Sequence, residues 1–322
     1  MDRRRVIGLL AGLALPQFAL SQATRSARVG YLAPRQRSVF LPGILKRLAD
    51  RGFVEGKNLS VEYRSADGDI SRFPQLAREL IDAKCDLIFA VGTEHPAVAL
   101  RSSATRIPIV LVAVTYDPSK AGIVANLGRP GGSITGVYTP VLDLAAKQLE
   151  LLHQTLPTAR RFLVLADSQN KEQLDVVRRA AARLRVQLIE EVYEVPPPYP
   201  LHSTFARAKS AGAQAVVALD SASFFDQRQR LSQLAITHRL PTVVNVHYLD
   251  QTGFLLGYGA DFATAFARAG DIAAAILGGA NPGEIPLEQP GEFVLIANLG
   301  AAKELGISIP ASVLARANRV LE

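Results

Sequence analysis

Apolar positions along the chain fall into two patterns that take turns. Short apolar runs at 86–91 and 108–114 predict strands covered on both faces, and further strands are predicted at 28–32, 134–138, 161–166, 215–219 and 242–246. Between them, apolar residues recur every three or four positions over 39–50, 73–83, 97–104, 143–154, 171–184, 225–238 and 261–277, the spacing of amphipathic helices. Shorter helices are predicted at 205–210 and 301–305, and further strands at 59–63, 186–193, 254–258 and 293–296.

Strict alternation of strand and helix predicts parallel sheets with helices on both faces, joined by right-handed crossovers. The strands divide into two halves of similar make-up, so the expected fold is α/β with two doubly wound lobes rather than one wide sheet. The expected boundaries are a first lobe over 24–139 with a returning segment at about 259–280, and a second lobe over 140–258 with about 281–322. The first crossing is expected near 137–140.

The extreme N-terminus breaks this rhythm. Three arginines (Arg3, Arg4, Arg5) precede the uncharged run 6–15, and the segment ends in Ser21-Gln22-Ala23. A charged start, a short apolar middle and a small-x-small end make a secretory signal, with cleavage after Ala23. The run is too short to span a bilayer, which takes about 20 residues. The paired arginines favour the twin-arginine route. The mature chain is therefore expected in the periplasm. Its lone cysteine, Cys85, cannot form an internal disulfide and reads as a small buried residue.

Composition narrows the function. Hydrophobic residues at 48% and charged residues at 20% suit an ordinary globular core. The net charge of +7 is scattered over helix faces, with no aromatic-rich basic stripe, so no nucleic-acid partner is expected. No Gly-x-Gly-x-x-Gly, phosphate loop, Gly-x-Ser-x-Gly elbow or metal-spaced histidine cluster occurs, and the five histidines are dispersed. The chain is read as a non-enzyme with no catalytic residues, no metal and no cofactor.

Several phrases occur together in order: Gly-Phe-Val-Glu-Gly-Lys-Asn-Leu at 52–59, Asp-Leu-Ile-Phe-Ala-Val-Gly-Thr at 86–93, Asp117-Pro118, Pro-Gly-Gly-Ser-Ile-Thr-Gly-Val at 130–137, and Asn-Leu-Gly-Ala-Ala-Lys-Glu-Leu-Gly-Ile at 298–307. As a set, over nearly all of 29–310, they resemble the tryptophan/tyrosine-type family of ABC transporter substrate-binding proteins. The resemblance implies a type I periplasmic-binding fold with three crossings and ligand in the cleft. It implies a monomer that delivers a small molecule to a permease in the inner membrane. An exported ligand-sensing subunit for a membrane receptor is the alternative, since binding and closure would look the same.

In open α/β sheets ligands bind outside the carboxyl ends of the strands. Candidate contacts are therefore the residues at or just past those ends: Tyr31, Gly92, Thr93, Thr115, Tyr116, Asp117 and Tyr138 in the first lobe, and Ser168, Asp220, Ser221, Asn245, His247 and Tyr258 in the second. The family often carries an Asp at the position of Asp220, which is expected to pair with a ligand ammonium, with a helix N-cap as its structural alternative. Thr93 is expected to cap a helix or hold a carboxylate. Tyr116 stands inserted in a Thr-Asp-Pro turn and is expected to reach the cleft, with Tyr31 and Tyr138 as aromatic wall. That set suits an aromatic or apolar amino acid, or a related aromatic acid.

Overall fold

The computed structural model describes residues 26–35, 39–114, 116–168, 170–195, 197–249, 253–289 and 293–322. The signal sequence expected at 1–23 and the candidate contact Thr115 lie outside the described residues.

The first lobe begins with β1 (Ala27–Ala33), α1 (Leu41–Asp50), β2 (Leu59–Ser65), α2 (Phe73–Asp82), β3 (Leu87–Gly92), α3 (Glu94–Ser102), β4 (Ile109–Ala113) and β5 (Ile134–Tyr138). Its five strands run in the order β2-β1-β3-β4-β5, and all pairs are parallel. β3, β4 and β5 are buried along their length except at Gly92, as their apolar runs require. Proline in the first turn of both α1 and α2 removes an N–H that the helix start would leave unpaired.

The chain then crosses into the second lobe with α4 (Val141–Thr155), β6 (Arg161–Asp167), α5 (Lys171–Leu184), β7 (Gln187–Tyr193), α6 (Leu201–Ser210), β8 (Ala215–Ala218), α7 (Ala222–Asp226), α8 (Arg228–Thr237), β9 (Thr242–Val244) and β10 (Leu256–Ala260). The helix predicted over 225–238 is in fact two, separated at Gln227. After β10 the chain returns to the first lobe. There α9 (Phe262–Leu277), capped by the Asp261 carboxylate on the Ala263 N–H, packs against α1 and the first sheet. β11 (Phe293–Asn298), α10 (Leu299–Leu305), α11 (Ala311–Leu314) and β12 (Arg319–Leu321) complete the second lobe, whose seven strands run β12-β11-β10-β9-β8-β6-β7.

Two details depart from the expectation. Residues 281–289 belong with the first lobe: Leu287 is buried in its core, the Thr135 hydroxyl donates to the Ile285 carbonyl at 2.7 Å, and Glu288 bridges to Val137. The third crossing therefore follows Gln289. In consequence the second sheet is not wholly parallel. β10 ends at the cleft, and the chain re-enters the lobe from that same end, so β11 must run antiparallel to β10.

Each sheet is covered on both faces, giving four cores. Cys85 lies in one of them at 4% exposure, and burial pushes its thiol up to about 11. The folded protein should leave a thiol reagent unreacted at pH 8 and react with about one equivalent once denatured, because only the thiolate attacks. Rapid labelling of the native chain would show that this core opens readily.

Candidate functional site

The carboxyl ends of the two sheets face each other across a cavity of about 640 Å³. From the first lobe β1 contributes Tyr31, the turn after it Pro34 and Arg35, the start of α1 Phe40, β3 Gly92, its end Thr93, and α9 Phe262 and Phe266. The second lobe supplies Asp220 and Ser221 just past β8, Phe225 and Asp226 on α7, Arg228 at the start of α8, and His247 past β9.

Phenylalanines form most of the aromatic wall. Phe40 meets the rings of Phe262 at 5.9 Å and Phe266 at 5.4 Å between centroids. The second lobe answers with His247, whose ring lies 4.4 Å from Phe262, 5.1 Å from Phe225 and 4.7 Å from Tyr248. The lobes also meet in an ion pair, Arg35 Nε to Asp226 Oδ2 at 3.0 Å. Arg228 stacks its guanidinium over the Phe225 ring at 4.1 Å.

Asp220 is the polar floor. Its side chain does not cap α7. Ser221 does that, accepting from the Phe224 N–H at 3.1 Å. The Asp220 carboxylate is instead held by Asn245, whose Nδ2 donates at 3.0 Å, and faces His247 Nε2 at 3.4 Å. Burial pushes the Asp220 carboxyl up to about 7, against the pull of hydrogen bonds from Tyr248 and Asn245. Burial also pushes His247 down to about 3, with Arg228 adding to the effect. Among the described residues no lysine or arginine pairs with Asp220, so the site holds a buried acid without a full counter-charge.

The strand-end rule thus finds six residues of the cavity wall: Tyr31, Gly92, Thr93, Asp220, Ser221 and His247. Thr93 is not a side-chain cap, and its hydroxyl lies 3.2 Å from His95 Nδ1. Asn245 stands behind the wall, as support for Asp220. Other expected contacts lie elsewhere. Tyr116 is packed into the first-lobe core, where burial pushes its hydroxyl well above the usual phenol range. Asp117 closes a turn by accepting from the Ser119 and Lys120 N–H groups. The Tyr138 side chain joins the same core as Tyr116, and its hydroxyl accepts from Gln289 at 2.5 Å. Tyr258 rests on Phe293 at 6.2 Å. Ser168 lines a second cavity, which shares Asp67 and Thr93 with the first. Burial decides these cases: Tyr116 and Tyr138 fill a core instead of the cleft, and phenylalanines not singled out by the sequence stand in the wall beside Tyr31. The signal for the missing residues was one helical turn further on. Phe40, Phe225 and Phe262 all stand at or near the first turn of a helix that follows a cleft-end strand.

Two lobes with sheets pointing their carboxyl ends at one aromatic cavity between them define the type I periplasmic-binding class. The family model for ABC transporter substrate binding proteins matches residues 36–321, and the chain belongs to that family. A tyrosine-binding protein of Clostridioides difficile is 27% identical over 273 residues, 82% of this chain and 75% of that protein. Among solved structures, a conserved domain protein of Vibrio cholerae is 26% identical with a TM-score of 0.77, covering 92% of this chain and 100% of that one. A Streptococcus pneumoniae ABC domain in complex with L-Trp is similar in fold, at 23% identity and a TM-score of 0.76, with the same coverage. No described helix is long and apolar enough to cross a membrane.

Proposed function

We propose that this chain is the exported binding component of an ABC importer, that it captures an aromatic or large apolar amino acid in the cleft, and that it presents that solute to a permease by closing its lobes. One observation carries the ligand class: the Asp220 carboxylate is buried at the floor of a phenylalanine-lined cavity without a lysine or arginine to pair with it. A ligand ammonium supplies the missing charge, and the ligand's side chain fills the space among Phe40, Phe225, Phe262 and Phe266. Gly92 and Thr93, where α3 begins, offer backbone and hydroxyl donors for the carboxylate. The relatives named as binding tyrosine and tryptophan support the same class.

Thermal melting against a panel of amino acids tests this. A ligand at 100 times its Kd should stabilise by about 2.7 kcal/mol and raise Tm by a few degrees. L-Tyrosine, L-tryptophan, L-phenylalanine or L-leucine should give that shift, and 3-phenylpropionate, which lacks the ammonium, should not. Silence from every amino acid together with a shift from aromatic acids would replace the ammonium reading by one in which Asp220 acts protonated.

A further inference from the structure

We propose that His247 is a latch between the lobes and Asp220 its proton partner: the imidazole docks neutral between first-lobe rings when the cleft is closed, and takes the proton from Asp220 when the cleft opens. This goes beyond the proposed transport role and does not depend on which solute binds.

The geometry carries it. His247 belongs to the second lobe, yet its ring lies against first-lobe Phe262 at 4.4 Å and edge-on to first-lobe Phe40 at 6.4 Å. Second-lobe Phe225 and Tyr248 close the remaining sides. The side chain is only 8% exposed, and Nδ1 has no hydrogen-bond partner among the described residues. A charged imidazolium docked there would bury a net positive charge against hydrocarbon, which costs more than the contact returns.

The groups facing the ring explain where the proton goes. From the first lobe, α1 and α9 present the rings of Phe40 and Phe262, and Arg35 lines the same cavity already paired with Asp226. In the second lobe Arg228 repels a second positive charge, the Tyr248 phenol stays protonated, and Asp220 stands 3.4 Å away at the end of β8, with Asp167 behind it. Closed and empty, the pair is a carboxylic acid beside a neutral imidazole. Opening hydrates both groups, returns them towards their ordinary values of about 3.9 and 6.5, and makes them a carboxylate beside an imidazolium. One proton moves between Asp220 Oδ1 and His247 Nε2, and the pair's proton count hardly changes. Two opposite linkages cancel: acid pulls His247 towards the open form and Asp220 towards the closed one. The pair therefore keeps closure nearly independent of pH, and removing Asp220 should expose the dependence.

The test is the distance between spin labels placed on exposed helix faces of the two lobes of the purified, ligand-free protein, from pH 7.5 to pH 5. For the wild type we expect the closed-to-open ratio to change by no more than about threefold. In Asp220→Asn the histidine titrates alone, and the ratio should fall by about 30-fold by pH 5, since the open form gains a proton below its value of about 6.5. His247→Phe should stay closed throughout. His247→Ala and, from the opposite lobe, Phe40→Ala should each open the cleft at both pH values, with the double variant opening little further, because the two rings share one contact. Unchanged distances in both alanine variants would overturn the latch. A pH-independent Asp220→Asn would overturn the proton pairing.

Discussion

Asp220→Asn should make the ligand-free protein more stable at pH 8 while destroying amino-acid binding. The sign follows from the direction of the shift. The folded-state value of Asp220, about 7, lies above the unfolded value of about 3.9. Folding therefore favours the protonated acid, and the ionised carboxylate costs stability. That cost is absent below about pH 4, grows through the interval to pH 7, and is constant above it. An amide of the same shape carries no charge and removes the cost, leaving only a weaker match to the Asn245 Nδ2 donor. The expected gain is on the order of 2 kcal/mol at pH 8, shrinking as pH falls through 5 and vanishing below about pH 4, read from urea denaturation midpoints. His247 contributes to both proteins and largely drops out of the difference. Binding should move the other way. Deleting the partner of a buried ammonium typically costs about 2–5 kcal/mol, which is roughly 30-fold to several thousand-fold in Kd. A variant that binds tyrosine or tryptophan as tightly as wild type would remove Asp220 from the ammonium site. One that loses stability at pH 8 would show that the carboxylate has a counter-charge after all.

The second large effect lies in the scaffold. Gly136→Ala should cost about 2–6 kcal/mol, the sum of a strained backbone (~1–3) and overpacking (~1–3). Gly136 sits in β5 with φ of +142°, a region glycine visits freely and other residues avoid. A Cβ built there would stand 2.2 Å from the Leu111 carbonyl oxygen and 2.5 Å from the Leu111 nitrogen. Both are backbone atoms of the neighbouring strand β4, so no rotamer change relieves the clash. At its upper end the loss reaches the lower end of an ordinary domain's whole stability, about 5–15 kcal/mol. Soluble yield and Tm should collapse, and because β5 leads into the first crossing, the lobes should lose their relative placement as well. A variant melting within about 2 °C of wild type would mean that β5 can shift away from β4 at little cost.

Much of this was legible in the chain. Apolar runs such as 87–91 and 108–114, too short for a buried helix and bounded by polar or turn residues, read as strands buried on both faces. Alternation with helices then dictates parallel order, and parallel order places ligands at the carboxyl ends, which is why Asp220, Thr93 and Tyr31 were found. Those inferences need only local pattern and chain chirality. What lay beyond reach depended on which surfaces meet. Tyr116 and Tyr138 sit at strand ends like Tyr31, but their neighbours are the helices of the first-lobe core. Phe225 and Phe262 sit on helices like any core residue, yet packing turns them to the cavity. The antiparallel β11 follows from the end at which the chain re-enters its lobe, a matter of three crossings and not of residue type. The periodicity of the chain determined two wound lobes and the edge where a ligand lies; only the folded arrangement, by bringing His247 of one lobe between Phe40 and Phe262 of the other, decided what that edge is made of, because contacts between different elements, whether as distant in the chain as His247 and Phe40 or as near as His247 and Phe262, leave no periodic trace in either.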